Sequence, residues 1–327
     1  MSAIRTEKSG LLAEKPRMGI STCLLGERVR YDGGHKRDRF LTDTFGKFVD
    51  WVPVCPEVEC GLPTPRESMH LEGDPENPRL VTTRTHVDMT EKMLSWAGSR
   101  LDQLKSEDLS GFIFKSNSPS SGMERVRVYD EKGMPHRTGV GLFARAFMDR
   151  FPLLPVEEEG RLHDDLIREN FIERVFCLKR YRDTMERSRS RGSLVAFHAA
   201  HKLQLMAHSQ DILRQMGRVV AHAKGRPIGG VLAEYEALLM TALRKKATPG
   251  RNTNVIQHAM GYFKKELTHD EKEEMDDVLA AYRAGYVPLV VPVTLLNHYV
   301  RKYGPDYLAQ QTFLAPHPVE LKLRNHA

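Results

Sequence analysis

The chain has 327 residues and a formal net charge of +6 at pH 7, with 40% hydrophobic and 28% charged residues. This composition is typical of a folded globular protein and excludes collagen-like and low-complexity chains, and the length predicts about two domains. No apolar run reaches the ~18 residues of a membrane-spanning helix, and residues 1–16 lack the apolar stretch of a secretory signal. We therefore expect a cytoplasmic protein with a loose N-terminal tail over residues 1–16.

Short apolar runs alternate with helical stretches in the first half of the chain. Three of these runs pass directly into loop-type residues and predict buried strands: Met18–Ser21, Trp51–Val54 and Gly111–Lys115. Two helices are predicted at Leu41–Phe48 and Met89–Leu104, and further strands at Arg79–Thr83, Arg125–Tyr129 and Leu153–Val156. Thr90 is the expected N-cap of the second helix. The alternation predicts an α/β domain over residues 17–158, with a Rossmann-like parallel sheet.

The spacing of apolar residues becomes helical after Val156–Gly160, a stretch that is typical of a domain junction. Apolar residues then recur at i, i+3 and i+4 in five segments: Leu166–Met185, Ser193–Ala223, Ile228–Lys246, Asn252–Phe263 and His269–Ala284. Thr268–Glu271 has the sequence of a capping box, which predicts a helix start at this position. We expect a mostly α-helical C-terminal domain over residues 159–327.

Positive charge is concentrated in the helical half. Residues 1–160 contain 23 Lys and Arg against 25 Asp and Glu, whereas residues 161–327 contain 26 against 18. The bias is strongest in residues 174–226, with 12 basic and 3 acidic residues. A basic helical face favours phosphate, and hence RNA or a nucleotide. A solvated charged face fits the same pattern, because aromatic residues do not alternate with the charges.

Three of the four cysteines lie close together in the sequence. Cys23 follows the first predicted strand, Cys55 follows the second, and Cys60 comes five residues later; the serine-rich loop KSNSPSSG follows the third strand. The carboxyl ends of parallel strands meet at one edge of a sheet, where ligands bind, so we expect these segments to lie close together. Three thiolates are compatible with an iron–sulfur cluster. A zinc site with His35 or His70 as a fourth ligand and inert buried cysteines fit as well.

Four motifs surround these cysteines: S-x-C-L-L-G at Ser21–Gly26, Y-D-G-G-H-K at Tyr31–Lys36, V-P-V-C-P-E with G-L-P-T-P-R within Val52–Arg66, and K-S-x-S-P-S at Lys115–Ser120. With these motifs the first half resembles the DUF523 family, which includes the thiouracil desulfidases, over about residues 17–155. The second half resembles the DUF1722 domain, which is often fused to the first. The resemblance implies a [4Fe-4S] cluster held by three cysteines, with one iron not ligated by protein. It also implies a non-redox removal of sulfur from thiolated uracil compounds, with 4-thiouridine nucleotides as candidate substrates.

One position departs from the family pattern. Single-domain relatives usually read S-P-S-C-G, in which the cysteine is a cluster ligand, whereas this chain has Ser121 at that position. Conversely, Cys60 stands where those relatives usually have glycine. The resemblance therefore predicts a ligand exchange that keeps three thiolates, from Cys23, Cys55 and Cys60.

The resemblance also implies roles for polar residues of the same segments. The open iron would polarise the thiocarbonyl group of the substrate, so that water replaces sulfur and hydrosulfide leaves. Glu57 is the expected general base and acid, and Ser118 is expected to orient the water or the ring. Substrate binding is expected from other residues of these loops: Asp32, Gly33, Lys36, Lys115, Ser116 and Ser120. Each of these residues has a structural alternative, as a cap, a loop hydrogen bond or a solvated charge.

Other patterns give competing interpretations. The protein could instead be a non-catalytic metal-binding module that binds RNA or nucleotides through the basic helical domain. A metal-free cysteine nucleophile ranks last, because the cysteine motifs contain no obvious activating histidine. Cys177 lies in an apolar helical stretch, so we expect it in the core. His198, His201 and His208 lie roughly on one helical face, which is compatible with a metal site or with ordinary packing.

Overall fold

The computed structural model of the protein describes residue 12 and residues 14–326. These residues form two compact units, Glu14–Ile167 and a second that begins at Arg168. The predicted N-terminal tail over residues 1–16 falls largely outside the described residues. No described helix is long and apolar enough to cross a membrane.

The first unit contains two four-stranded sheets. Their strands are β1 Arg17–Ser21, β2 Asp50–Val54, β3 Met69–Glu72, β4 Arg79–Thr82, β5 Leu109–Phe114, β6 Val126–Tyr129, β7 Pro135–Gly139 and β8 Val156–Glu158. The larger sheet has the order β2-β1-β5-β8, with every neighbouring pair parallel. Every residue of β5 is buried, as expected for a strand covered on both faces. The predicted Rossmann-like parallel sheet is therefore confirmed.

The strand order of the larger sheet reverses at β1. The chain passes from β1 to β2 on one side and later enters β5 on the other side. Loops that leave adjacent strands in opposite directions open a crevice at the carboxyl edge of the sheet. The sheet topology thus provides a cavity between the segments that follow β1, β2 and β5.

The smaller sheet has the order β4-β3-β6-β7 and is mixed. The central pair β3–β6 is parallel, and the outer pairs are antiparallel. Its buried face forms an apolar cluster with side chains of two neighbouring helices and with Cys60; the members are Cys60, Leu71, Leu80, Met93, Val126, Val128 and Leu142. The predicted strands at Arg79–Thr83 and Arg125–Tyr129 are confirmed as β4 and β6, whereas β3 and β7 were not predicted. The strand predicted at Leu153–Val156 begins only at Val156.

Three α-helices belong to the first unit: α1 Pro56–Glu59, α2 Thr90–Lys105 and α3 Leu142–Arg150. The helix predicted at Leu41–Phe48 is wrong as an α-helix, because the segment forms a π-helical turn followed by a 3₁₀ turn. The tight geometry lets Gly46 approach Trp51, where an added Cβ would lie 2.9 Å from the indole nitrogen. The predicted N-cap Thr90 is also wrong, because its hydroxyl accepts the Leu80 amide at 2.8 Å and Met89 is the N-cap.

The second unit is helical, as predicted. Its helices are α4 Asp165–Arg187, α5 Arg191–His208, α6 Gln210–Ala221, α7 Ile228–Arg244, α8 Pro249–Met260, α9 His269–Arg283, α10 Val290–Tyr303 and α11 Asp306–Ala309. The segment Ser193–Ala223, for which the spacing predicts helix, forms two helices, because extended Ser209 separates α5 from α6 and caps α6. The capping box of Thr268 and Glu271 at the start of α9 is confirmed.

Candidate active site

A cavity of about 390 Å³ lies at the carboxyl edge of the parallel sheet. It is bounded by the segments that follow β1, β2 and β5, the three strands whose ends were expected to converge. The structure brings seven of the eleven predicted site residues to this cavity: Cys23, Lys36, Cys55, Glu57, Lys115, Ser116 and Ser118. Polar residues outside the predicted set also line it: Arg30, Tyr31, Arg66, Asn117 and Ser121.

Two cysteine thiols reach the cavity wall. Cys23 lies in a single 3₁₀ turn directly after β1, and Cys55 precedes Pro56 at the start of α1. Burial, and next the carboxylate of Glu57, raise the pKa of Cys23 to about 11 and that of Cys55 to about 12. Both side chains are therefore protonated thiols near neutral pH, unless a metal group replaces the proton.

A carboxylate and two hydroxyls form a connected chain on the same wall. Ser120 Oγ donates to Glu57 Oε1 at 2.6 Å, and Ser118 Oγ lies 2.9 Å from Ser120 Oγ. The other carboxylate oxygen, Oε2, lies 3.6 Å from Cys55 Sγ and 3.9 Å from Arg66 Nη2. Glu57 thus sits between a thiol, a guanidinium and a hydroxyl chain, which is an arrangement suited to proton transfer.

The serine loop is fixed by backbone contacts. The Ser120 carbonyl accepts the amides of Phe143 and Ala144 in the first turn of α3, at 2.9 and 3.1 Å. Gly141 packs so closely that an added Cβ would lie 2.5 Å from the carbonyl carbon of Ser120. The helix start and the loop therefore satisfy each other's backbone groups. Ser118 and Ser120 are held in place before any ligand arrives.

Glu159 organises the start of the same loop, and sequence reasoning missed it. Its Oε1 accepts Lys115 Nζ at 2.5 Å and Ser116 Oγ at 2.7 Å, while its Oε2 accepts the Ser116 amide at 2.7 Å. The ammonium group of Lys115 also donates to Ser116 Oγ and to the Ser116 carbonyl. Lys115 and Ser116 are thus bound to Glu159. The signal in the sequence is the acidic run at the end of the last strand, which is also typical of a domain junction.

The turn that contains Asp32 and Gly33 lies outside the cavity lining. Asp32 Oδ1 accepts the Gly34 amide at 2.9 Å, and this backbone hydrogen bond lowers the pKa of the carboxyl group. Gly33 has a φ of 72°, which favours glycine. The turn carries the chain from Arg30 to Lys36, and both of these cations do line the cavity. Asp32 and Gly33 therefore shape the rim.

Cys60 does not line the cavity that Cys23 and Cys55 reach. Its side chain belongs to the apolar cluster of the smaller sheet, and its thiol contacts the Glu57 carbonyl at 3.2 Å. Cys60 is absent from the cavity lining, whereas Ser121 is part of it. Among the described residues, no group of three His, Cys, Asp or Glu side chains is arranged to hold a metal ion. The cavity as it stands therefore presents two thiols and does not fit a three-thiolate cluster.

The three histidines of α5 and the fourth cysteine make contacts inside the second unit. His198 Nδ1 lies 3.1 Å from the Tyr235 hydroxyl, while Nδ1 of His201 and Nδ1 of His208 contact the carbonyls of Phe197 and Lys245. The three rings therefore contact different partners through these nitrogens. Cys177 is fully buried in the second unit, as expected for a core residue. Neither His35 nor His70 lines the cavity.

Comparisons with known proteins match both halves of the chain. The model of the family described as 2-thiouracil desulfurase matches residues 18–159, and that of DUF1722, a family of unknown function, matches residues 202–318. The uncharacterized protein YbgA of Escherichia coli K12 is 29% identical over 153 residues, which is 46% of this chain and 90% of YbgA. A solved structure titled "[4Fe-4S]-dependent thiouracil desulfidase TudS" is 30% identical over 46% of this chain and 95% of that one, with a TM-score of 0.38. The chain thus joins a domain of the 2-thiouracil desulfurase (DUF523) family to a DUF1722 domain.

Proposed function

We propose that the first unit is a desulfidase that replaces the sulfur of a thiolated uracil compound with oxygen. The observation that carries this proposal is the cavity in which Cys23 and Cys55 lie beside the Glu57 carboxylate. Membership of the 2-thiouracil desulfurase family supports the reaction class. The overall change consumes one water and releases hydrosulfide, so no net electron transfer is needed.

An iron–sulfur cluster is part of the proposal. The family resemblance supports it, and TudS, the solved relative, is named as a [4Fe-4S]-dependent enzyme. Cys23 and Cys55 are the two thiols that this cavity offers to such a group. Thiolates are the usual ligands of these clusters. One iron without a protein ligand is also part of the proposal.

Glu57 is the proposed proton acceptor for the attacking water. Its carboxylate faces the cavity, and the hydrogen bond from Ser120 fixes one of its oxygens. Ser118, which lines the cavity and contacts Ser120, would orient the water or the ring. After attack, the same carboxyl group can return the proton to the departing sulfur. A positioned acid–base group of this kind contributes roughly 10²–10⁴-fold to a rate.

The cations around the cavity support a nucleotide substrate over a free base. Lys115 is bound by Glu159 and Ser116, and Arg66 Nη1 donates to the Val29 carbonyl at 3.0 Å. Arg30 and Lys36 come from the rim turn and line the cavity, and we assign to them the contact with a phosphate group. We therefore propose a 4-thiouridine nucleotide as the substrate.

RNA binding by the second unit is the alternative function, with the first unit as a non-catalytic metal-binding module. Part of the positive charge in residues 174–226 is used inside the fold. Lys179 pairs with Asp183 at 2.6 Å and is buried, and Arg191 donates to the carbonyls of Ala223 and Arg226. The basic surface is smaller than the sequence indicates, so this alternative has the weaker support.

The direct test is hydrosulfide release after strictly anaerobic purification and cluster reconstitution. We expect release from 4-thiouridine 5′-monophosphate, with lower kcat/KM for 4-thiouridine, 4-thiouracil and 2-thiouracil. Ultraviolet spectra would show one uracil product for each hydrosulfide. Protein that contains iron and acid-labile sulfide but releases no hydrosulfide from any of the four compounds would contradict the proposal.

A further inference from the structure

One cation inside the second unit has no acidic partner among the described residues. Arg180 lies in α4, and its Nη2 donates to the Pro316 carbonyl. Its Nε and Nη1 atoms are buried without a hydrogen-bond partner. Glu173, on the same helix, is instead engaged by Gln204 and His208. A buried cation without a counter-ion is costly, so this place in the fold favours a bound anion.

The ring of His201 offers a hydrogen-bond acceptor beside this cation. His201 is 3% exposed, and its Nδ1 lies 2.8 Å from the Phe197 carbonyl. Because a carbonyl oxygen can only accept, Nδ1 carries the proton of the neutral ring and Nε2 has a lone pair. Nε2 is buried and has no partner within the described part of the chain. Burial, and next the positive charge of Arg180, lower the pKa of His201 to about 3, so Nε2 remains an acceptor at neutral pH.

The segment after α11 crosses both helices at this place. Thr312 Oγ1 donates to the Ala200 carbonyl of α5 at 3.2 Å, and the Pro316 carbonyl accepts Arg180 of α4. Ala200 directly precedes His201, so the segment bridges the two helices at the positions of both side chains. Arg180 as a whole is only half-buried, so the place is not sealed from solvent. Two buried donor atoms and one buried acceptor atom are thus left for a ligand between α4 and α5.

We propose that Arg180 and His201 bind a phosphate group that carries a proton. The charged oxygens of the ligand accept from the guanidinium of Arg180, and its P–OH group donates to Nε2 of His201. Inorganic phosphate carries such a proton at neutral pH, whereas a phosphate monoester carries one only below its second pKa of about 6. Sulfate has the same shape but no proton near neutral pH, so it would leave the lone pair of His201 unpaired. The site should therefore prefer inorganic phosphate to sulfate.

The test is isothermal titration calorimetry of the phosphate-free full chain with inorganic phosphate, methyl phosphate and sulfate at equal ionic strength. At neutral pH we expect inorganic phosphate to bind about tenfold more tightly than sulfate, and methyl phosphate to match it only below about pH 6. Arg180→Met should abolish this binding, and His201→Phe should remove the preference for phosphate over sulfate. Arg214→Met, at an exposed cation of α6, is the matched control and should bind phosphate like the wild type.

Two results would overturn the proposal, and neither concerns hydrosulfide release by the first unit. Wild-type protein that binds sulfate as tightly as phosphate would do so without any variant, even if Arg180→Met fails to fold. Phosphate binding that survives Arg180→Met, in protein with the unfolding temperature of the wild type, would also do so. Arg30→Met separates the two units, because Arg30 lines the cavity of the first unit. Binding that this change abolishes would belong to that cavity and would equally overturn the proposal.

Discussion

The hydroxyl of Ser120 donates a 2.6 Å hydrogen bond to Oε1 of Glu57, which joins the loop after β5 to the helix after β2. The two residues are 63 positions apart in the chain. Because one oxygen of Glu57 is fixed in this way, the other is directed towards Cys55 and Arg66. The proposed proton acceptor is thus oriented by the loop that follows β5.

Replacing Glu57 by Gln should remove proton transfer while keeping the shape of the side chain. We expect kcat for hydrosulfide release to fall about 10²–10⁴-fold. The iron content should stay at the wild-type level, since position 57 is not a proposed ligand. Glu76→Gln, at an exposed position of the same unit, is the matched control and should keep full activity. Activity of Glu57→Gln within a factor of two of the control would contradict the assignment.

Replacing Ser120 by Ala should affect catalysis through Glu57. The carboxylate would lose its 2.6 Å hydrogen bond, and we expect a fall in kcat of about tenfold, which corresponds to a hydrogen bond to a charged group. KM should change little, because Ser120 does not line the cavity. In the double variant with Glu57→Gln the two losses should not multiply, since both act on one group. Multiplying losses would show that Ser120 acts independently.

The pair Lys115–Glu159 should stabilise the fold as a coupled unit. A double-mutant cycle with Lys115→Met and Glu159→Gln should give a coupling of about 1–2 kcal/mol in the free energy of unfolding in urea. Both side chains are largely buried, so solvent screens the pair less than a surface ion pair. The exposed pair Arg150–Asp102 is the comparison and should show less coupling. Equal coupling in the two pairs would contradict the role given to Glu159.

The cavity thiols should react slowly in the metal-free protein. The pKa of Cys23 is raised from 9.0 to about 11, chiefly by burial, so its thiolate fraction near neutral pH is about a hundredfold lower than in the unfolded chain. Peptide mapping after iodoacetamide treatment of native and unfolded protein measures this ratio. The shift also stabilises the folded state below about pH 9, and that stability is lost as pH rises towards 11. Equal labelling of Cys23 in the two states would contradict the prediction.

A buried ion pair should hold the second unit together. Glu173 Oε2 lies 3.4 Å from His208 Nε2, and its Oε1 accepts Gln204 at 2.8 Å. Burial alone would raise the pKa of Glu173, but His208 and Arg324 outweigh it and hold that pKa well below its usual value. The stability from this carboxylate is therefore present above about pH 4.5 and lost as pH falls.

Glu173→Gln should accordingly destabilise the protein by about 3–5 kcal/mol at neutral pH, because it leaves a buried positive charge without its partner. The matched control is Glu236→Gln, which affects a half-buried pair with Arg182. Urea unfolding at neutral pH and at about pH 4 measures both variants. A loss for Glu173→Gln no larger than that of the control would contradict the prediction.

The sequence predicted those parts of the site that depend on strand ends. Cys23, Cys55 and the serine loop each follow a short apolar run, and the carboxyl ends of parallel strands share one edge. The position of Cys60, which directly follows α1, could not be predicted. It depends on how this helix of four residues packs next to the smaller sheet. Glu159 was missed for a related reason. Its contact with Lys115 requires β8 to pair with β5, and this long-range pairing leaves no local pattern.

The serine loop leaves β5 of the larger sheet and enters β6 of the smaller one. Its carbonyls also receive the first amides of α3, so the segment ties both sheets to a helix. Unfolding of either sheet would therefore displace the loop residues Ser118 to Ser121. Heating should therefore abolish catalysis and the protection of amides in both sheets at the same temperature. For this fold, the onset of activity loss reports the melting of the whole first unit.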